Sequence, residues 1–376
     1  MSRLRAAVIG CGRMGSTIDD EAEAVNSPHY PYPWAHAAAL REARGVDLVA
    51  GADLDEARLA DFRRRWGVAA PYTDARRMLA QERPDIVCVT TRPAGRLEVV
   101  LACVEAGVRA VFATKPLAHR LADADQMVTA CRERGVLFAT AAHLNWDPWY
   151  EAARSLFAPA AQPAPERAAA AAAAADGADV PLLYPNPPQP MGRLRSLACH
   201  SPHTLSNIHS HTLCLFRRFA GAPVAWASGE MTDDAAARGE RDLVGSAYIA
   251  YTNGVRGFLN SHVGRAGLSW NLEFLGERGW VTSWNAHATY EAWALLPGQR
   301  EPCRLQFPNP RRPRSSMLAA IEGIVANLRD GTEPACPGEY GREALEVAIA
   351  LRESHRRGSV PVHLPLEDRS LQMTTG

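Results

Sequence analysis

One lysine stands among forty arginines in this 376-residue chain. It is Lys115, in the stretch VFATKPLAH (111–119). An arginine keeps its charge in almost any setting, whereas a lysine offers a compact ammonium that can be aimed at one atom and whose proton affinity responds to burial. A coding bias that removed lysine everywhere else is the competing account, and the position of Lys115 decides between them. A second set of residues suits an anion: VIGCGRMG holds G-x-G-x-x-G as Gly10, Gly12 and Gly15, directly after a strand-like run. Glycine is wanted there because the backbone must turn tightly and approach a pyrophosphate closely, while the next helix offers its first N–H groups. Asp53 closes the next strand in VAGADLDE, where a carboxylate accepts from adenosine ribose hydroxyls and repels a 2′-phosphate, favouring NAD over NADP. Its alternative role, an acidic helix cap, is one that Asp55 can also fill. Asp53 lies 38 residues after Gly15 rather than about 20, and the segment DDEAEAVNSPHYPYPW accounts for the excess, as a fixed loop near the cofactor or a plain surface loop.

Elements that can position these residues follow from periodicity. Short β-branched runs at 5–10, 46–53, 85–91, 109–114 and 136–142 alternate with amphipathic helical segments at 55–66, 74–82, 94–106 and 120–134, the pattern of a parallel sheet wound with crossover helices. Such a sheet binds ligand at the carboxyl ends of its strands, and Lys115 sits just past one of them. From 144 the pattern changes. A helical piece, DPWYEAARSLF, runs into an alanine- and proline-rich tract at 158–190, read as a surface insertion. A helix at 207–219 and strand-like runs at 223–231, 243–252, 255–263, 269–275 and 279–284 then suggest a largely antiparallel sheet, and two helices, each stopped by glycine, close the chain. The expected class is α/β: a Rossmann domain at 1–143 and an α+β substrate and oligomerisation domain at 144–376.

Forty-one basic and 41 acidic residues cancel, so nothing argues for nucleic acid or an anionic membrane surface. No apolar segment approaches the ~20 residues needed to span a bilayer, and the N-terminus lacks a signal-peptide layout, which together suggest a cytoplasmic protein. Eight scattered cysteines without a C-x-x-C pair support neither a disulfide framework nor a thiolate metal site. His200, His203, His209 and His211 form a tempting cluster, but they have no cysteine or carboxylate companion. They read as the lining of a polar substrate pocket, with no metal expected.

GCGRMG, the TKP tripeptide, SNIHSHTLCLFRRFAG, LEFLGERGWV and the closing REALEVAIALRESHRRGSVPVHLPL together resemble the Gfo/Idh/MocA oxidoreductases. That resemblance implies a Rossmann domain joined to an open, mostly antiparallel sheet, and hydride transfer between NAD(P) and a carbinol of a sugar, cyclitol or related compound. The family's E-K-P is TKP here, which puts Lys115 on the catalytic lysine and Thr114 in place of an acid. Its D-x-x-x-H-x-x-D helix becomes N-I-H-S-H-T-L-C, which puts His211 on the catalytic histidine and replaces both aspartates, by Asn207 and Cys214. An arginine often found before its W/F-D-P turn appears as Asn145. His211 then serves as acid/base, a buried structural histidine being the alternative, while Lys115 steadies the developing alkoxide and Asn207 orients His211. The cofactor set comprises Gly10, Gly12, Arg13, Met14, Gly15, Asp53, Thr90, Thr91, Arg92, Thr114 and Lys115. Asn145, Trp146 and His209 are expected at the substrate, and a homodimer or homotetramer through the second sheet is expected of the assembly. The lost carboxylates leave two rival readings: a catalytically weak NAD-dependent sugar-binding sensor, and an enzyme that uses NAD transiently for epimerisation, elimination or glycoside cleavage.

Overall fold

The computed structural model describes residues 3–25, 31–69, 71–158, 188–205, 207–232, 245–261, 270–284, 289–307 and 315–373. The tract expected as an insertion at 158–190 lies outside the described residues except for Ala158 and 188–190. A six-stranded sheet comes first: β1 (Leu4–Ile9), β2 (Val46–Ala52), β3 (Pro71–Tyr72), β4 (Ile86–Val89), β5 (Ala110–Ala113) and β6 (Leu137–Thr140). Every pairing is parallel, in the order β3-β2-β1-β4-β5-β6. Its inner strands are buried on both faces, as a helix-covered parallel sheet requires. Sequence reading found five of these strands and missed β3, whose two residues carry no periodicity.

The helices after β2 and β3 start where an aspartate can cap them. Asp55 accepts from the N–H groups of Ala57 and Arg58 at 2.9 and 3.2 Å, and Asp74 caps Ala75–Glu82 in the same way. Asp55 thus fills the cap that competed for Asp53. The long stretch between the glycine motif and β2 is not simply a loop. Helix Ile18–Val25 occupies its start, a second helix, His36–Glu42, follows it, and Asp19 joins the two by accepting from Trp34 N at 2.6 Å. The extra helix explains the 38-residue spacing.

The second sheet has nine strands: β7 (Leu194–His200), β8 (Val224–Met231), β9 (Gly245–Tyr251), β10 (Arg256–Asn260), β11 (Asn271–Gly276), β12 (Gly279–Trp284), β13 (Thr289–Ala294), β14 (Cys303–Arg304) and β15 (Val362–His363). They run in the order β14-β13-β12-β11-β7-β10-β9-β8-β15, antiparallel apart from the β7–β10 pair. Helices Ile208–Ala220 and Gly338–Arg356 contribute buried side chains to the core beneath it.

One element from beyond residue 144 packs with the first sheet. Helix Ser316–Asp330 packs Met317, Ala320, Ile321 and Ile324 onto the first sheet, against the face formed by Val8, Cys88, Phe112 and Ala139. The far end of the chain also returns there. Leu121 N and Ala122 N donate to Leu371 O and Arg369 O, and the Arg369 guanidinium grips Asp125 with two bonds of 2.7 Å.

Candidate active site

The glycine loop lies at the carboxyl end of β1, and its three glycines answer to different demands. Gly10 has φ +98°, and a Cβ there would sit 2.8 Å from Thr90 C and Thr91 N. A Cβ on Gly15 would strike the Gly10 carbonyl oxygen and lie 2.8 Å from Thr90 Oγ1. Both are required by the fold itself, because the turn and the following helix approach β4 closely. Gly12 is different. A Cβ there would meet nothing nearer than Arg58 Nη1 at 3.7 Å, so the protein leaves open the space that a methyl group would take. Beside this cradle Thr91 Oγ1 is buried without a partner among the described residues. An open, glycine-lined approach to first-turn N–H groups, with an unsatisfied hydroxyl next to it, fits a dinucleotide phosphate.

Asp53 stands at the adjoining strand end. Its Oδ2 accepts from Cys11 N at 2.7 Å and its Oδ1 from Asp55 N at 3.0 Å, which locks the carboxylate against the loop. Thr90 Oγ1 donates to the Gly10 carbonyl and so ties the end of β4 to the same loop. Arg13 pairs with Glu21 at 2.7 Å, Met14 packs with Ile18, Ala35 and Ala38, and Arg92 is exposed. Thr114 departs from expectation. Its hydroxyl is turned inward, accepting from Arg96 at 2.9 Å, so its side chain braces the loop.

Lys115 leaves the carboxyl end of β5 and reaches across to the second domain. Its ammonium donates to Asn207 Oδ1 at 2.7 Å and to Asn207 O at 2.9 Å. Asn207 immediately precedes helix Ile208–Ala220, on which His211 lies one turn further along. The His211 ring is 6% exposed and packs edge-on against His143, with centroids 4.7 Å apart. Burial, then the charge of Lys115, then His143, hold its proton affinity well below the ordinary imidazole value, so it is neutral near pH 7. A neutral imidazole beside an ammonium is a base and a donor in one place.

Asn207, expected to orient His211, bonds Lys115 instead. Its two oxygens take Lys115, and the backbone one also takes Ser210 Oγ, while His211 Nδ1 is buried with no partner among the described residues. An amide oxygen is a good acceptor for an ammonium, and that pairing wins. The three residues expected at the substrate are turned inward as well. Asn145 is fully buried and closes the His143–Trp146 turn on Ala142 O at 2.9 Å. Trp146 packs edge-on against Phe112 and lies over Gly323. His209 has no exposed surface and bonds Ser261 Oγ through Nε2 at 2.9 Å; burial depresses its proton affinity to a pKa of about 4. The helix turns its side chain away from that of His211, since residues two apart do not share a face. Among the described residues no cluster of three or more His, Cys, Asp or Glu side chains could hold a metal; His200, His203 and His209 go to Asn260, Ser201 and Ser261 separately.

His143 and Arg96 escaped sequence reading. His143 starts the turn after β6 and bonds Ser316 Oγ at 2.7 Å through Nδ1; its place past a parallel strand end was the available signal. Arg96 looked like one more surface arginine yet is 1% exposed.

A Rossmann sheet with an open glycine cradle, an acid at the second strand end, and a lysine facing a neutral histidine across two domains defines a nucleotide-dependent oxidoreductase. Residues 4–142 match the sequence model of the Gfo/Idh/MocA family, an oxidoreductase family with an NAD-binding Rossmann fold. The myo-inositol 2-dehydrogenase of Thermotoga maritima is 25% identical over 356 residues, 93% of this chain and 96% of that protein. The D-apiose dehydrogenase of Paraburkholderia graminis is 34% identical over 153 residues, 40% of this chain, and the match spans only 36% of that relative's length. An oxidoreductase from Agrobacterium radiobacter, solved in complex with NAD+, L-tartaric acid and magnesium, shares the fold with a TM-score of 0.70 at 16% identity, over 96% of this chain and 98% of that one. Residues 4–142 are thus similar to the NAD-binding Rossmann domain of that oxidoreductase family, and the similarity to the Thermotoga dehydrogenase runs on through the second domain. No helix among the described residues is long and apolar enough to cross a membrane.

Proposed function

We propose that the protein moves hydride between NAD and a carbinol or ketone carbon of a sugar, amino sugar or cyclitol, with Lys115 and His211 acting on the oxygen of that carbon. The observation that carries this reading is the contact between Lys115 and Asn207, which brings an ammonium from one domain within a helical turn of a neutral imidazole from the other. Gly10, Gly12 and Gly15 with Asp53 and Thr91 would hold the cofactor, which supplies the hydride acceptor or donor when bound. In the oxidation direction His211 takes the hydroxyl proton as charge builds on the oxygen, and Lys115 donates to that oxygen. In reduction His211 must be protonated before it can donate, and its burial and the nearby ammonium oppose the imidazolium in both directions. The presence of both groups, with Lys115 bonded to the residue one helical turn before His211, argues against a binding-only sensor.

The sheet face turned away from the helices suits a second copy of the chain. Trp226, Tyr248 and Phe258 form an aromatic run across β8, β9 and β10, Trp280 stacks on Trp293 across β12 and β13, and Leu275 is 46% exposed. Light scattering on the eluting protein tests for the dimer or tetramer. The catalytic reading is tested by following absorbance at the reduced-nicotinamide band while sugars, amino sugars, cyclitols and their keto forms are offered. Turnover that persists in a Lys115→Met, His211→Ala double variant overturns the assignment of roles.

A further inference from the structure

Arg96 is the largest side chain that the described fold buries completely, and its hydrogen bonds among the described residues all run to the two loops that carry the site. Nη1 donates to Thr114 O at 2.6 Å, to Leu117 O at 3.1 Å and to Pro116 O. Nη2 donates to Thr114 Oγ1 at 2.9 Å and to Thr91 O. The acceptors lie on both sides of Lys115 in sequence, at 114 and at 116–117, and on the loop after β4. That second loop is itself tied to the glycine turn through Thr90. One guanidinium therefore joins the cofactor cradle to the segment that bears the lysine.

The chemistry of those bonds separates this arginine from an ordinary structural ion pair. Its bonded acceptors are four carbonyl oxygens and one hydroxyl, and no carboxylate is among them. Burying a cation on neutral acceptors is costly, and the five bonds of Nη1 and Nη2 offset that cost while Nε stays buried without a partner among the described residues. A planar fork can span five acceptors on two loops, whereas an ammonium radiates from one point and cannot.

We propose that Arg96 is the positioning residue of the active site, fixing the backbone on either side of Lys115 so that the ammonium is held on the Asn207 oxygens and aimed at the reacting oxygen. The proposal rests on the catalytic reading of Lys115, but its geometric half can be tested without any substrate. Because Lys115 is the only lysine in the chain, protein grown with lysine labelled at Cε and Nζ gives a single side-chain signal. In the wild type that signal should be displaced from the position of a free lysine, and its ammonium protons should exchange slowly with water.

Arg96→Gln removes the fork. Its expected result is a Lys115 signal moved to the free-lysine position, with added guanidinium ion restoring the original one. Once a substrate is identified, kcat should fall by roughly 100-fold, the scale of losing one oriented donor, while the KM for NAD changes by less than about threefold, under half the free energy of a tenfold change. Should Arg96→Gln fail to fold, Thr114→Val deletes a single acceptor and should move the Lys115 signal part of the way. An unchanged Lys115 signal in a folded Arg96→Gln or Thr114→Val protein overturns the proposal, since a purely structural arginine would lower the melting temperature and leave the lysine where it was. A displaced lysine without any loss of turnover would leave the positioning intact and instead refute the catalytic reading of Lys115.

Discussion

Alanine scanning of the three motif glycines separates the residues the fold needs from the one the ligand needs. At Gly15 a methyl group collides with the Gly10 carbonyl and with Thr90 Oγ1, and at Gly10 it meets the Thr90–Thr91 backbone just after β4 at 2.8 Å in a conformation of φ +98°. Overpacking of this kind costs roughly 1–3 kcal/mol, and the left-handed backbone at Gly10 adds about 1–2 kcal/mol. Each of these two variants should therefore melt several degrees lower than the wild type, on the scale of roughly 2–4 °C per kcal/mol for large domains. Gly12 has φ −80°, and its added methyl finds only the Arg58 side chain at 3.7 Å. Gly12→Ala should hold its melting temperature within the range of a neutral surface change, about 0.5 kcal/mol. The same methyl would occupy the approach of the pyrophosphate, and an overlap worth ~1–3 kcal/mol weakens NADH by roughly 5- to 150-fold. Thermal melts and a fluorescence titration with NADH on the three variants provide the comparison. A Gly12→Ala protein that is stable and binds NADH within threefold of the wild type would falsify the placement of the phosphates.

Lys115→Arg should lower turnover by roughly 100-fold or more and leave NADH titration nearly unchanged, and a variant with full activity would make Lys115 a mere survivor of codon bias. Asp53→Ala should narrow a preference for NAD(H) over NADP(H), measured by parallel titrations; tighter NADP(H) binding by the wild type refutes the ribose assignment. Stability should fall on acidification from pH 7 towards 4. Burial takes His36 from 6.5 to about 3 and His209 to about 4, and it holds His211 well below 6.5. Below pH 6.5 the unfolded chain gains protons that these native rings refuse, so the stability present above that pH is lost through the window. Burial also raises Asp147 from 3.8 to about 7 and Glu343 above its ordinary value, which works in the opposite sense, but the three rings outweigh two acids. Melting curves at pH 5 and 7 check the sign, and the drop between them should be smaller in His36→Phe.

Much of the first domain was legible because its signals are local. The strand and helix periods, the Asp55 and Asp74 caps and the glycine turn all act within a few residues. What failed was whatever depends on partners distant in the chain. β7 was not recognised as a strand because LRSLACH lacks β-branched residues; it forms because its small side chains fit the middle of a sheet between β10 and β11. β13 (TYEAWA) has two alanines and a glutamate among its six residues and is held by β12. Asn145, Trp146, His209 and Thr114 carry polar or aromatic groups that suit a ligand, and each is spent on a neighbour in the fold: a turn carbonyl, Phe112, Ser261 and Arg96. Arg96 could not be told from thirty-nine other arginines until its burial was seen, whereas Lys115 stood out by being alone.

Helix Ser316–Asp330 covers a nucleotide-binding sheet whose last strand ended some 176 residues earlier, at Thr140. During synthesis, then, the amino-terminal strands leave the ribosome with the part of that greasy flank that Met317, Ala320, Ile321 and Ile324 cover still open, beside the patch taken by Ala37, Leu40, Leu59 and Phe62. Synthesis at ~5–20 residues per second makes that delay ~9–35 s, long enough for chaperones to bind and for a truncated message to yield an aggregating product. A clone of residues 1–143 would thus be a poor reagent for cofactor studies, and a circular permutant that starts near residue 315 would bring the cover out first.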